Sequence, residues 1–128
     1  MKVLIVDDSK AVCNGLQQML TAIPGVKISG QAHNGKDAIT SITELKPDVV
    51  ILDIRLPDLS GIDVLIDIRA KKTSTKVIIL TNYPYPQYRK KCKELGADYF
   101  FDKVTEIDEI YNVIKELAKN NPDIEKKK

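Results

Sequence analysis

Val49-Val50-Ile51-Leu52-Asp53, followed at once by Ile54-Arg55-Leu56-Pro57, is the stretch that decides the fold. Four apolar residues in a row end in a carboxylate, and a proline breaks the chain shortly afterwards. A short unbroken apolar run between turn signals reads as a strand buried on both faces. The residue that ends it leaves the sheet with its side chain outside the core. Asp53 is therefore either a turn residue or a chemical group on a rigid post. The pattern recurs: Val3-Leu4-Ile5-Val6 ends at Asp7-Asp8, Val77-Ile78-Ile79-Leu80 at Thr81-Asn82, and Tyr99-Phe100-Phe101 at Asp102-Lys103. Val26, Ile28, Gly30 and Ala32 instead alternate with polar residues, as a half-exposed edge strand does.

Helical stripes separate these runs. Ser9 can cap a first helix with Val12, Leu16, Met19, Leu20 and Ile23 on one side, stopped by Pro24-Gly25. Asn34-Gly35 turns into a second, with Ala38, Ile39, Ile42 and Leu45, closed by Lys46-Pro47. Gly61 opens a third, carrying Ile62, Leu65, Ile66 and Ile68. Pro84 and Pro86 mark the start of a fourth, where proline is tolerated; its stripe is Tyr85, Tyr88, Cys92 and Leu95, and Gly96 stops it. A fifth carries Ile107, Ile110, Tyr111, Ile114 and Leu117.

The apolar cores begin at residues 3, 26, 49, 77 and 99, so the intervals are 23, 23, 28 and 22 residues. Each interval holds one strand and one helix. Such a repeat builds a parallel sheet with helices on both faces, because the crossovers are right-handed. Five strands are too few for a closed eight-strand barrel. The first, third and fourth are apolar throughout and belong in the middle; the second and fifth belong at the edges. The predicted fold is α/β, doubly wound and flavodoxin-like, with strand order 2-1-3-4-5 and five helices. Residues 1–119 read as one domain, and 120–128 as a polar tail that frays or begins a linker.

Bulk properties narrow the function. A length of 128 residues suits one domain. The formal net charge of +2 is too small to argue for nucleic acid or a membrane surface. Between Lys2 and Asp7 there are only four apolar residues, too few for a signal peptide, and no run approaches the ~20 needed for a membrane span. A cytoplasmic location is expected. Cys13 and Cys92 match no metal-ligand spacing and fall on apolar helical faces, so they read as buried free thiols in a reducing compartment. His33 reads as a surface residue, and Asp58 and Asp102 as loop residues. The basic residues of the fourth helix, Arg89, Lys90, Lys91 and Lys93, read as a solvated face or a contact for an acidic partner.

In an open parallel sheet, ligands bind beyond the carboxyl ends of the strands, at the switch point of the winding. With this order the switch point lies between the first strand, which supplies Asp7 and Asp8, and the third, which supplies Asp53. Thr81 and Lys103 come next along the edge. The opposite edge offers only connectors: Pro24-Gly25, Lys46-Pro47, Thr73-Ser74-Thr75 and Gly96-Ala97. Each like-charge pair among three carboxylates repels by roughly 3–4 kcal/mol at about 4–5 Å and an effective dielectric of about 20. Either one carboxyl stays protonated or a cation compensates. A site of few carboxylates beside a place for phosphate suits Mg²⁺. A metal clamp, a nucleophilic carboxylate, a hydroxyl and an ammonium are the parts of phosphoryl transfer to aspartate. On this reading Asp53 takes the phosphoryl group, Asp7 and Asp8 hold the metal, Lys103 pairs with phosphate oxygens and Thr81 donates a hydrogen bond.

These residues closely resemble the receiver domains of two-component response regulators. The resemblance covers about the first 118 residues. It rests on Val3 to Ser9, on Asp53 with Leu56-Pro57-Asp58-Leu59-Ser60-Gly61, on Leu80-Thr81, on Gly96-Ala97-Asp98 and on Lys103. It implies that a partner histidine kinase donates phosphate to Asp53 with Mg²⁺ as cofactor. It implies metal ligation by Asp8, Asp53 and the backbone carbonyl of Arg55, with Asp7 acting largely through water. It also implies a switch in which Thr81 moves toward the phosphoryl group and an aromatic residue, here Phe100, reorients. The signal passes to an output protein or to an output domain outside this chain, and a phosphorylation-dependent dimer is compatible with it. Such a domain turns over no external substrate; its chemistry is self-phosphorylation and self-dephosphorylation. Three positions depart from the family pattern. Val104 stands where many members have proline, Asn82 where a small residue is common, and Phe100 where tyrosine is frequent.

Three other functions share parts of this pattern. A haloacid-dehalogenase-type phosphatase also uses an aspartate after a strand, but wants a second aspartate two residues on, where this chain has Arg55. A pseudo-receiver that only binds a partner usually lacks an acid or the lysine, and none is missing. A flavodoxin-type FMN binder needs a phosphate loop after the first strand, where Asp7-Asp8 would repel the phosphate.

Overall fold

The chain alternates strand and helix from Lys2 to Lys119 in the computed structural model, which describes residues 1–120. The order is β1 (Lys2–Val6), α1 (Lys10–Thr21), β2 (Lys27–Ala32), α2 (Gly35–Leu45), β3 (Val49–Leu52), α3 (Gly61–Ala70), β4 (Lys76–Thr81), α4 (Pro86–Glu94), β5 (Tyr99–Asp102) and α5 (Ile107–Lys119). The five strands form one sheet in the order β2-β1-β3-β4-β5, and every pairing is parallel. The expected tail lies, from residue 121 on, outside the described residues.

The apolar runs explain the layering. Side chains alternate across a strand, so Leu4, Val6, Val50, Leu52, Val77 and Ile79 face one side, with Ala38, Ile42, Val64, Leu65, Ile68 and Cys92 from α2, α3 and α4. Val3, Ile5, Val49, Ile51, Ile78 and Leu80 face the other, against Cys13, Leu16 and Leu20 of α1 and Ile110, Ile114 and Ala118 of α5. The three central strands are buried on both faces, whereas β2 and β5 are mostly half-exposed. Burying one large aliphatic side chain in this way is worth about 1.5–3 kcal/mol.

Local signals set the helix ends. The Ser9 hydroxyl accepts from Val12 N (3.2 Å) and the Asn34 side chain from Asp37 N (2.8 Å). Ser60 and Asp63 form a reciprocal capping box at the start of α3. Gly96 ends α4 with φ +94°, a left-handed conformation that glycine adopts without steric cost.

Some faces differ from the expected stripes. In α3 it is Val64, not Ile66, that is buried; Ile66 is 46% exposed. Both residues are apolar, so hydrophobicity alone could not set the phase of this short helix. Leu45 and Tyr85 are likewise exposed, and Cys92 is the only buried residue of α4. His33 is half-buried and its Nε2 lies 3.2 Å from Gln31 Oε1. Both cysteines are buried free thiols. Among the described residues no helix is long and apolar enough to cross a membrane.

Candidate functional site

The sheet register gathers the charged strand ends. Val6 and Leu52 are partners across β1 and β3, and Asp53 N donates to the Val6 carbonyl (3.0 Å). Asp7 and Asp53 therefore leave the sheet side by side, and Asp8 follows. One carboxylate oxygen from each of Asp7, Asp8 and Asp53 lies within 4.8 Å of the others. On the far side of β3, Thr81 ends β4 opposite Asp102 of β5. Lys103 N donates to the Thr81 carbonyl (2.8 Å). From that anchor the Lys103 side chain reaches back across the ends of β4 and β3. Its ammonium donates to Asp7 Oδ2 (2.6 Å) and Asp53 Oδ2 (3.0 Å).

The groups differ in their exposure to water. The side chains of Asp7, Asp53 and Lys103 are 3%, 7% and 10% exposed, while Asp8 lies open. Burial pushes the Asp53 carboxyl above its usual range; the Lys103 ammonium pulls it back, and the Asp7 charge adds to the upward push. For Lys103, burial disfavours the cation, but the hydrogen bonds it donates to Asp7 and Asp53 outweigh that and raise the pKa. Beneath the site, the Cys13 thiol donates to the Asp7 carbonyl (3.4 Å) and is pushed up to about 11 by burial and then by the Asp7 charge, so it stays protonated.

The donor set is chemically specific. Among the described residues, two of the three carboxylates share one ammonium and Asp8 has none, so the pocket keeps an excess of negative charge and presents hard oxygen ligands. Such a cluster of carboxylate oxygens fits a small, hard divalent cation. Asp7 is already engaged on both oxygens, by Ser9 N (2.9 Å) and by Lys103. Asp53 Oδ1 accepts only a long bond from Arg55 N (3.4 Å).

Thr81 is fully buried and its hydroxyl accepts from Tyr83 N (3.0 Å), leaving the hydroxyl proton free to donate. Arg55 is exposed in the loop after Asp53, with its guanidinium 3.8 Å from the centre of the Tyr83 ring. Phe100 is not drawn into the carboxylate cluster. It packs half-buried against the core on the α4 side, beneath the Arg89 guanidinium at 4.6 Å. Val104 follows Lys103 through a trans peptide bond, as does every described residue.

Two supporting residues escaped the sequence reading. Asp58 is not an idle loop acid: it accepts hydrogen bonds from Gly35 N (2.7 Å), Lys36 N (2.9 Å) and Leu59 N (2.8 Å). It thereby ties the loop after β3 to the N-terminus of α2, and these bonds hold its carboxyl below the usual range. Nothing local in Pro57-Asp58-Leu59 points to partners 23 residues away. Asp102 ends β5 rather than sitting in a loop; its N–H donates to Glu106 (3.0 Å) and its carboxylate accepts from Val104 N (2.8 Å). A separate cavity of ≈ 600 Å³, lined by residues such as Met1, Pro47, Val49 and Leu117, opens at the opposite end of the strands and is remote from this chemistry.

Comparison with known proteins converges on one family. The family model of the response regulator receiver domain matches residues 3–115. A transcriptional regulatory protein of Bacillus subtilis, YvfU, described as uncharacterized, is 33% identical over 118 residues, covering 92% of this chain and 59% of the relative. A DNA-binding response regulator of the LuxR family from Staphylococcus aureus superposes with a TM-score of 0.84 at 32% identity, over 91% of this chain and 98% of that one. The CheX–CheY–BeF₃–Mg²⁺ complex from Borrelia burgdorferi gives 0.83 at 28% identity, over 91% of this chain and 88% of that one. The chain spans 54–61% of the length of the first curated relatives it matches. With five parallel strands in this order, an acidic cluster at their carboxyl ends and a matching family model over most of its length, the chain belongs to the response regulator receiver domains of two-component signalling.

Proposed function

We propose that this receiver domain takes a phosphoryl group onto Asp53 from the phosphorylated histidine of a kinase. The observation that carries the reading is the pair of hydrogen bonds that the Lys103 ammonium donates to Asp7 and Asp53 within the three-carboxylate cluster. Lys103 holds Asp53 by Oδ2 and leaves Oδ1, weakly bonded, as the nucleophile. Oδ1 attacks phosphorus, the P–N bond breaks, and its electron pair stays on the imidazole nitrogen. Asp8, Asp53 and the Arg55 carbonyl would hold a magnesium ion, with Asp7 contributing through water. When bound, that ion supplies positive charge against the phosphoryl oxygens. The relative solved with BeF₃ and Mg²⁺ supports this choice of cation.

Phosphorylation takes the local charge on residue 53 from about −1 to about −2 and adds acceptor oxygens. The Thr81 hydroxyl has its proton available to donate to them, and Lys103 follows the new charge. The loops after β3 and β4 move with those side chains, and Phe100 reorients in β5. The α4–β5–α5 surface then favours an output partner or a second copy. A swing from 1:99 to 99:1 needs about 5.5 kcal/mol. One new hydrogen bond and one ion pair supply less, so the expected response is a partial shift.

Acetyl phosphate with Mg²⁺ tests the chemistry directly, since the P–O bond to acetate then breaks in place of the P–N bond. Mass spectrometry should show the gain of one phosphoryl group by the native chain and none by Asp53→Asn. Full labelling of the Asp53→Asn protein would overturn the assignment.

A further inference from the structure

We infer that the cavity at the amino ends of the strands binds a small amphiphilic anion, an organic acid with an apolar body and a carboxylate head. The inference stands apart from the reading of Asp53 as acceptor. The cavity measures ≈ 600 Å³, within the range of about 300–1,000 Å³ usual for sites that take small organic ligands. Its walls come from elements that the sheet brings together at this end. Val49 opens β3, Met1 precedes β1, Ile42 lies near the end of α2, Pro47 follows α2, and Leu117 lies near the end of α5. Ile42, Pro47 and Val49 are buried, and Met1 and Leu117 are half-buried. Such walls offer an incoming hydrocarbon or aromatic body apolar surface to cover. A bare inorganic anion would leave them wet.

The rim supplies the charge. Among the described residues, Lys46, Lys71 and Lys76 line the cavity against one acid, Asp48. The Asp48 carboxylate is turned to the backbone, where it accepts from Lys2 N (2.7 Å). Lys71 is committed to Asp67 (2.9 Å) and to the Thr43 hydroxyl (2.8 Å). Lys76 stands 3.8 Å from Asp98, whose nearer partner is Arg69 at 3.0 Å, and its side chain is 52% exposed. Lys46 has no carboxylate within 4.0 Å among the described residues. Nor is it needed at the end of α2, where Lys2 Nζ already donates to the Leu45 carbonyl (3.1 Å). Lys46 caps that helix in the left-handed region, at φ +47°, where glycine or asparagine is usual and a larger side chain costs energy. The ammonium groups of Lys46 and Lys76 are therefore the ones open to an arriving carboxylate. Exposed Thr73 and Ser74 set hydroxyls on the same rim.

The test titrates the native chain with sodium octanoate, below micelle formation, and follows the backbone amides by proton–nitrogen NMR. Saturable shifts should centre on Lys46, Asp48, Val49, Ser74 and Lys76. Three comparison ligands separate the parts of the probe. 1-Octanol keeps the body without the charge, acetate keeps the head without the body, and octyltrimethylammonium reverses the charge. Each should bind more weakly than octanoate. Lys46→Ala and Lys76→Ala should each weaken octanoate roughly two- to fivefold, the weight of one exposed ion pair. Both lysines are exposed, so native thermal unfolding is expected in the variants. Should either variant unfold, the ligand series on the native chain still decides. Octanol or octyltrimethylammonium binding as tightly as octanoate, or folded lysine variants that bind it as the native chain does, would overturn the anion. Shifts that never saturate, or that centre on the separate apolar groove of Val12, Leu16 and Ile107, would overturn the site.

Discussion

Gly61 starts α3 so close to Asp53 that a side chain has no room: a Cβ there would lie 2.0 Å from the Asp53 carbonyl oxygen. Its own N–H donates to the Ile54 carbonyl (2.6 Å), so the helix start is pinned to the strand end. Gly61→Ala must therefore push the backbone at Asp53 aside. Relief of such an overlap costs about 1–3 kcal/mol. Urea unfolding should show a loss of that size, and labelling of Asp53 by acetyl phosphate should slow. Native stability with a native labelling rate would mean that the loop yields without moving the carboxylate.

Lys103 sets the charge state of its neighbours. Its ammonium lowers the Asp53 carboxyl against a larger upward push from burial. In Lys103→Met the downward influence goes and Asp7 still repels, so Asp53 should titrate higher than in the native chain. Carbon-13 NMR of the aspartate carboxyls measures this. The pair also bears on stability at high pH. Lys103 is raised in the folded state, so its contribution is complete below the free-lysine pKa of about 10.4 and fades as pH climbs through the folded value. Removing one partner of a buried ion pair costs about 3–5 kcal/mol, less whatever proton uptake by Asp53 recovers. An Asp53 titration that stays put would show that Lys103 is not its main counter-charge.

The contrast between these residues and the ones that escaped notice is physical. Runs such as Val49–Leu52 announce a buried strand by themselves, and their even spacing dictates a parallel sheet. The position of Asp7, Asp8, Asp53 and Lys103 at strand ends then follows from topology alone. The Asp58 bonds to α2 and the side-chain contact of Arg55 with Tyr83 cross between loops, where contact depends on turn geometry that no periodicity encodes. The phase of α3 was hidden for another reason: with Val64, Leu65, Ile66 and Ile68 all apolar, hydrophobicity does not single out one face, and the capping box of Ser60 and Asp63 and the close approach at Gly61 fix where the helix starts.

Asp58 offers a pH-dependent handle on α2. Three backbone N–H groups bond its carboxylate and lower its pKa. A lowered carboxyl contributes stability above the unfolded value, about 3.9, and loses it as pH falls through the folded one. Amide exchange at Gly35 and Lys36 should quicken in acid. In Asp58→Ala it should already be fast at neutral pH, while the exchange of β1 and β3 amides stays slow. Equal protection in native and variant chains would show that water replaces the carboxylate without cost.

Arg89 links the two elements whose relative motion the proposed switch requires. Its guanidinium lies over the Phe100 ring at 4.6 Å, donates to the Phe100 carbonyl (3.2 Å), and comes within 4.0 Å of Glu106 ahead of α5. The Arg89 side chain is 49% exposed, so its ion pair with Glu106 is screened and worth little. The stacking and the carbonyl bond matter more, at about 0.5–1 kcal/mol for the cation–π part. That amount is comparable with the partial shift expected on phosphorylation. Arg89→Ala should therefore move the Phe100 ring resonances of the unphosphorylated chain toward the positions reached with beryllium fluoride and Mg²⁺. Its global stability should fall by no more than about 1 kcal/mol, within the range of a surface substitution that removes one such contact. Ring resonances that remain at the native resting position would place the restraint on Phe100 elsewhere, in its packing against the core on the α4 side of the sheet.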